Sequence, residues 1–261
     1  MCAPEFQEFG GNTTCVLVEG PERTAIFDAG TGIRDLGKEL AKNPHVGIDH
    51  PCFLAFSHFH WDHIQGLPFF APAYDPRRHF IIAAIGRGLY GKDIKSIFEM
   101  QMQQDYFPVT LGGMGAQIDF LKSKEDFLTE GRARLQAVRH QHPGDAYSYR
   151  IEGKDGKVVV FCTDIEHGEE IDERIVDLAR GADLLIHEGQ YTPEELPRFK
   201  GWGHSSWEQA VEVAERAEVK KLVITHHDPD HDDAFLRDVE KQCQARFPDA
   251  VLAREKMELN L

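Results

Sequence analysis

The chain has 261 residues, 41% of them hydrophobic, so a sizeable core can form without disulfide staples. Asp plus Glu total 44 against 29 Lys plus Arg, a formal charge of −15 that opposes long-range attraction of a polyanion and makes a large nucleic acid a disfavoured partner. The five cysteines are scattered, odd in number and never spaced C-x-x-C, which argues against a disulfide framework or a thiolate metal site and favours a reducing, cytoplasmic location.

The opening "MCAPEFQEFGG" lacks a basic stretch followed by an apolar one, and no apolar run approaches the roughly 20 residues that cross a bilayer. An untargeted protein with no membrane partner is therefore expected. No repeat, low-complexity tract or long linker divides the sequence, so 1–261 reads as one domain.

In chain order, "TTCVLVE" and "TAIFDAG" read as strands, "IRDLGKELAK" as a helix, and "CFLAF" as a buried strand that runs into a cluster of histidines. Between Gly88 and Lys124 the pattern is less regular. Ile94, Ile97, Phe98 and Met102 mark a helical apolar stripe ended by Pro108, which suits a core-facing helix, with a lid insertion over 88–124 as the functional alternative.

Further strands are expected at "HFIIAAI", "ARLQAV", "AYSYRIE", "KVVVFCTD", "ADLLIHE" and "KLVIT". Helices are expected at "EEIDERIVDLAR", "SSWEQAVEVAERAE" and "DDAFLRDVEKQCQARF". Strands in meander, later alternating with helices, give an α/β chain whose sheets are covered by helices.

The histidine cluster, "SHFHWDHIQGLPFF", sits in a loop at a strand end, where functional groups concentrate. In H-x-H-x-D-H, His58 and His60 lie two apart and can point together from an extended loop, while Asp62 and His63 turn the other way, a pattern suited to two adjacent metal ions. Further ligand candidates stand at or just after later strand ends: His142 in "HQHPG", Asp164 in "FCTDIEH" and His226 in "VITHHDP". Spacing alone leaves His140 open beside His142, and His227 beside His226; His167 and His231 read as loop residues.

These residues in this order, with Asp28 in "FDAGTG", resemble the metallo-β-lactamase-fold hydrolases from about "GGNTTC" to the final strands. The resemblance implies a four-layer αββα sandwich with two divalent metal ions, zinc, iron or manganese. His58, His60 and His142 would hold one ion, Asp62, His63 and His226 the other, and Asp164 would bridge them. The contexts "HPG" and "THxxP" are what favour His142 and His226. Asp28 would orient a ligand; an Asx-type turn before Gly30 and Gly32 is the competing reading.

"LIHEGQYTPEE" and "KGWGHSSWEQA" are similar to the Glu and His motifs of ribonuclease Z and related small phosphodiesterases. That resemblance implies His204 as a catalytic histidine, a carboxylate, Glu188, that orients it, and Asp62 as holder of the nucleophile's proton. Phosphodiester hydrolysis needs a metal-bound hydroxide, charge stabilisation on the equatorial oxygens and a proton donor near the departing oxygen, the part His204 would take. Ser205 and Glu208 form S-x-x-E before an apolar-periodic run, a capping-box pattern whose helix start would also favour an anionic phosphate.

No basic Gly/Pro-rich arm of the ribonuclease Z type is present, so the expected substrate is a small anionic phosphodiester or a cyclic nucleotide. A homodimer fits the family. A lactone or carboxylic ester hydrolase on the same metals is the runner-up. A diiron redox or oxygen-sensing protein is disfavoured by histidine at position 60, where those relatives usually carry Glu, and a non-catalytic binding module by the full donor set.

Overall fold

The computed structural model describes residues 3–20, 24–43, 45–85, 93–123, 126–130 and 133–261. The chain divides into two compact units, Thr13–Asp126 and Met1–Asn12 with Phe127–Leu261.

The first unit is a five-stranded sheet in the order β1 (Val16–Glu19), β2 (Thr24–Phe27), β3 (Cys52–Ala55), β4 (His79–Ile85) and β5 (Gln117–Ser123). β1 and β2 are antiparallel, and the remaining pairs are parallel. Helix α1 (Ile33–Lys42) makes the crossover from β2 to β3 and buries Ile33, Gly37 and Leu40, apolar or small positions three or four apart that share one face. Ile26, Phe27, Leu54, Phe56, Phe70, Phe80 and Ile82 form the core, each at most 2% exposed. Removing that surface from water, at about 25 cal/mol per Å², is the main force holding the unit together.

α2 (Trp61–Ile64) is a single turn inside the histidine cluster, and α3 (Ile94–Gln101) is capped by Asp93, which accepts from the Ser96 N–H and hydroxyl. Ile94, Phe98 and Met102 of the expected stripe are buried. Residues 86–92, at the start of the irregular stretch, lie outside the described residues. The same stretch ends in β5, which pattern reading missed: no residue of this edge strand is fully buried, so its alternation is weak in apolar content.

The second unit is a seven-stranded sheet in the order β12-β11-β10-β9-β8-β7-β6. β6 (Phe127–Glu130), β7 (Ala133–His140), β8 (Ala146–Glu152) and β9 (Val158–Cys162) form an antiparallel meander. From β9 onward, β10 (Leu184–Glu188), β11 (Leu222–Thr225) and β12 (Ala250–Leu252) are parallel, joined through α4 (Glu173–Ala179), α5 (Trp207–Ala217) and α6 (Asp233–Arg246). β10 is buried at all five positions, as a parallel strand covered on both faces should be. The three-residue β12 was too short to stand out as a pattern.

Two helix starts differ from the sequence reading. α4 begins at Glu173 rather than in the acidic "EEID" run, because Asp172 caps it by accepting from Arg174 N–H. α5 has its capping box one residue later than S-x-x-E suggested: Ser206 caps, and Gln209 returns the hydrogen bond. Ser205 is engaged elsewhere, its N–H donating to Glu188 and its hydroxyl to the Ile165 carbonyl. Each unit is thus a mixed sheet carrying helices, the expected α/β class. No helix among the described residues is long and apolar enough to cross a membrane.

Candidate metal centre

In the first unit the site residues follow the ends of two parallel strands: Asp28 follows β2, and the run Ser57–His63 follows β3. Asp28 turns with φ 61°, a conformation that a non-glycine residue adopts at a cost and that points to a functional constraint. Ala29 N–H donates to the His63 carbonyl at 2.7 Å, and Gly66 N–H to the Ala29 carbonyl at 2.8 Å, so α2 is bound to the Asp28 turn through main chain. Gly66 is required there, because a Cβ would collide with the Gly30 carbonyl.

Asp28 is 1% exposed and accepts three hydrogen bonds: Ser57 N–H at 2.7 Å, Ser57 Oγ at 2.7 Å and His63 Nδ1 at 2.8 Å. Ser57 Oγ spends its proton on Asp28, so its contact with His58 Nδ1, at 3.0 Å, is one in which the ring donates. Both imidazoles are therefore protonated on Nδ1 and carry their lone pair on Nε2, the arrangement in which metal-ligating histidines are commonly held. His58 and His63 have ring centroids 4.3 Å apart, His58 and His60 4.4 Å. Asp62 Oδ2 lies 3.1 Å from His63 Nε2. Ser57 stood in the quoted motif without a role; only the buried network gives it one.

In the second unit β7, β9, β10 and β11 run in the same direction, which brings their C-terminal ends to one edge of the sheet. His142, Asp164, Glu188 and His226 stand at or just beyond those ends. Asp164 and His226 have φ of 54° and 59°. Thr163 Oγ1 donates to Asp164 Oδ2 at 2.5 Å. Asp164 Oδ1 faces three rings: His226 Nε2 at 3.5 Å, His142 Nε2 at 3.9 Å and His204 Nδ1 at 4.0 Å. These separations exceed hydrogen bonds yet allow one ion to touch several donors, and the donor atoms of His142, Asp164 and His204 all lie within 4.8 Å of one another. His142 Nδ1 donates to the Gly203 carbonyl at 2.9 Å, which again assigns the lone pair to Nε2.

The pairs that spacing left open differ in surroundings. His140 is 3% exposed and, among the described residues, belongs to none of the close donor groups; burial pushes its imidazole down to about 3. His227 Nε2 donates to the Ala253 carbonyl at 3.2 Å, and burial pushes it down to about 4. His231 faces Glu195 at 3.0 Å. His167 lies in a loop, as expected, and it stacks there on His187 with Nε2 atoms 3.2 Å apart.

Glu188 is fully buried and accepts from the main-chain N–H groups of Ile165, Gln190 and Ser205 at 3.1, 3.1 and 2.8 Å. Its Oε1 is 3.5 Å from His204 Nδ1, a contact that lacks hydrogen-bond alignment. Glu188 thus holds the loop carrying His204 through backbone rather than by gripping the ring. His204 is also stacked on His226, with centroids 5.1 Å apart.

The family model described as the beta-lactamase superfamily domain matches residues 23–227. Ribonuclease BN of Citrobacter koseri is 25% identical over an alignment of 299 positions, gaps included, that covers 94% of this chain and 92% of that protein. The metallo-beta-lactamase fold protein YhfI from Bacillus subtilis is similar with a TM-score of 0.67 at 19% identity, covering 97% of this chain and 95% of that one. A diphosphatase from the PhnP family is similar with a TM-score of 0.66 at 18% identity, covering 95% and 84%. The chain belongs to the beta-lactamase superfamily and is a hydrolase of the metallo-β-lactamase fold, with His and Asp clusters compatible with divalent metal ions.

Proposed function

We propose that this hydrolase is a two-metal phosphodiesterase acting on a small phosphodiester or a cyclic nucleotide. His58, His60 and His142 would hold one ion and Asp62, His63 and His226 the other, with Asp164 shared between the two sets. The N/O donor set suits zinc, iron or manganese. Bound ions would supply Lewis-acid polarisation of the phosphoryl group and activation of water.

The protein's own groups do the rest. Asp62 takes up the proton of the attacking water. His204 passes a proton from Nε2 to the departing oxygen, its Nδ1 turned toward the Asp164 and Glu188 carboxylates. The observation that carries this reading is the placement of His204: it stands among the rings around Asp164, on a loop that a buried carboxylate holds through main-chain hydrogen bonds. The names of two similar proteins, a ribonuclease and a diphosphatase, support attack at phosphorus.

The test is metal content measured together with turnover of bis-aryl phosphates, cyclic nucleotides and lactones on one sample. His204→Ala is expected to lower phosphodiester kcat by about 10²- to 10⁴-fold, the usual contribution of a positioned acid or base. A metal-loaded protein with no phosphodiester turnover would overturn the proposal. Lactone turnover that exceeds it and is indifferent to His204→Ala would replace it with ester hydrolysis.

A further inference from the structure

Glu166 has no part in the reading above. Its carboxylate accepts from Gly201 N–H through both oxygens, at 2.9 Å each, and from Gly203 N–H through Oε2 at 3.0 Å. Its own N–H donates at 3.0 Å to the carbonyl of Gln141, the residue before His142. Gly203 in turn accepts from His142 Nδ1 at 2.9 Å. One residue therefore ties together the strand exit that carries Asp164, the loop that carries His142 and the loop that carries His204.

The loop needs such a tie. Gly201 and Gly203 have φ of 88° and 92°, and glycine has the most conformational freedom to lose on ordering. A run of this kind keeps one conformation only where acceptors fix its N–H groups. Glu166 fixes two of them, and Glu188 fixes that of Ser205.

We propose that Glu166 is a positioning residue for His142 and His204. By clamping Gly201 and Gly203 it holds the Gly203 carbonyl on His142 Nδ1, which keeps Nε2 as the lone-pair nitrogen, and it sets the approach of His204 to Asp164. The inference rests on the reading of His142 as a metal ligand.

The experiment compares the metal-free full chain with its Glu166→Ala, Glu166→Gln and Glu169→Ala variants, Glu169 being an exposed carboxylate on the same segment. Zinc affinity is measured by competition with a chromophoric chelator, and the His142 tautomer by ¹⁵N NMR without metal. Glu166→Ala is expected to weaken zinc binding by about 10-fold or more, the lower end for groups that hold a ligand's other nitrogen. It should also turn a single Nδ1–H tautomer at His142 into a mixture. Glu166→Gln, which keeps one acceptor oxygen, should fall between, and Glu169→Ala should match the parent.

A folded Glu166→Ala variant with parental affinity and tautomer overturns the proposal. Should that variant fail to fold, the same outcome for Glu166→Gln overturns it. A parent chain that takes up no zinc, iron or manganese yet shows the tautomer change counts against the metal reading and leaves the clamp standing.

Discussion

Asp28 and His63 meet as a buried pair, Oδ2 and Nδ1 2.8 Å apart with both side chains fully enclosed. Burying a carboxylate is costly unless it is well hydrogen-bonded, and a pair of this kind contributes little net stability. Its use is to fix the rings: His63 directly, and His58 through the Ser57 hydroxyl. Asp28→Asn keeps the shape but turns an amide donor toward groups that already donate. We expect metal affinity, read by chelator competition, to drop about 10- to 100-fold. Equal affinities in the two proteins would show that Asp28 only shapes the turn.

Gly203 touches the site through its missing side chain. A Cβ there would collide with His142 Nδ1 and Pro143 Cδ, in a backbone conformation that L-residues rarely adopt. Gly203→Ala should cost about 1–3 kcal/mol of stability in urea titration, the range for residues held in sparsely populated backbone regions. Affinity for zinc should weaken in parallel. Gly156→Ala, with open space around it and a similar φ, should show the backbone cost without the loss of affinity.

His167 and His187 should make the fold sensitive to acid. Asp172 N–H donates to His167 Nδ1, and His187 Nδ1 donates to the Glu188 carbonyl, so the shared contact has His167 Nε2–H donating to His187 Nε2. Both rings are neutral in this chain, and a further proton on either would bring two N–H groups face to face. Burial lowers both, His167 well below the ordinary histidine range. The unfolded chain then binds more protons below about pH 6.5, so stability is complete above that pH and falls as pH falls beneath it. The loss is at most about 1.4 kcal/mol per pH unit for each ring. Urea midpoints from pH 8 to 5 check this: His167→Gln should flatten the decline, and an unaltered slope would refute the assignment.

The helix start at Ser206 separates two neighbouring serines. Ser206→Ala should cost about 1 kcal/mol, the usual value of an N-cap. Glu208→Ala, which the S-x-x-E pattern would have made part of the cap, removes only an exposed contact with Arg246 and should change stability by less than about 1 kcal/mol. Thermal melts of the two variants side by side decide between the registers.

Much of this was legible in the sequence because the chemistry clusters locally. His58, His60, Asp62 and His63 fall within six positions, and "CFLAF" before them has the apolar run of a buried strand. The parallel strands from β9 to β11 were visible for the same reason. What stayed hidden depends on partners distant in sequence. Ser57 acquires its role only once Asp28 lies beside it, 29 residues earlier in the chain, and Glu166 only when "GWGH" folds back 35 residues later. Ser205 and Ser206 present the same local text. The choice between them follows from Glu188 and the Ile165 carbonyl claiming Ser205.

Among the described residues, six non-glycines have positive φ: Asp28, Asp145, Asp164, Glu218, His226 and Lys256. Asp28, Asp164 and His226 belong to the proposed site, each placed just past the end of a parallel strand. A left-handed residue costs about 1–2 kcal/mol that glycine would not incur. Stability and chemistry therefore pull in opposite directions at His226, where glycine would relax the backbone while removing a donor. A laboratory selection for thermal resistance alone would be expected to erode the site at these turns while leaving both sheets intact.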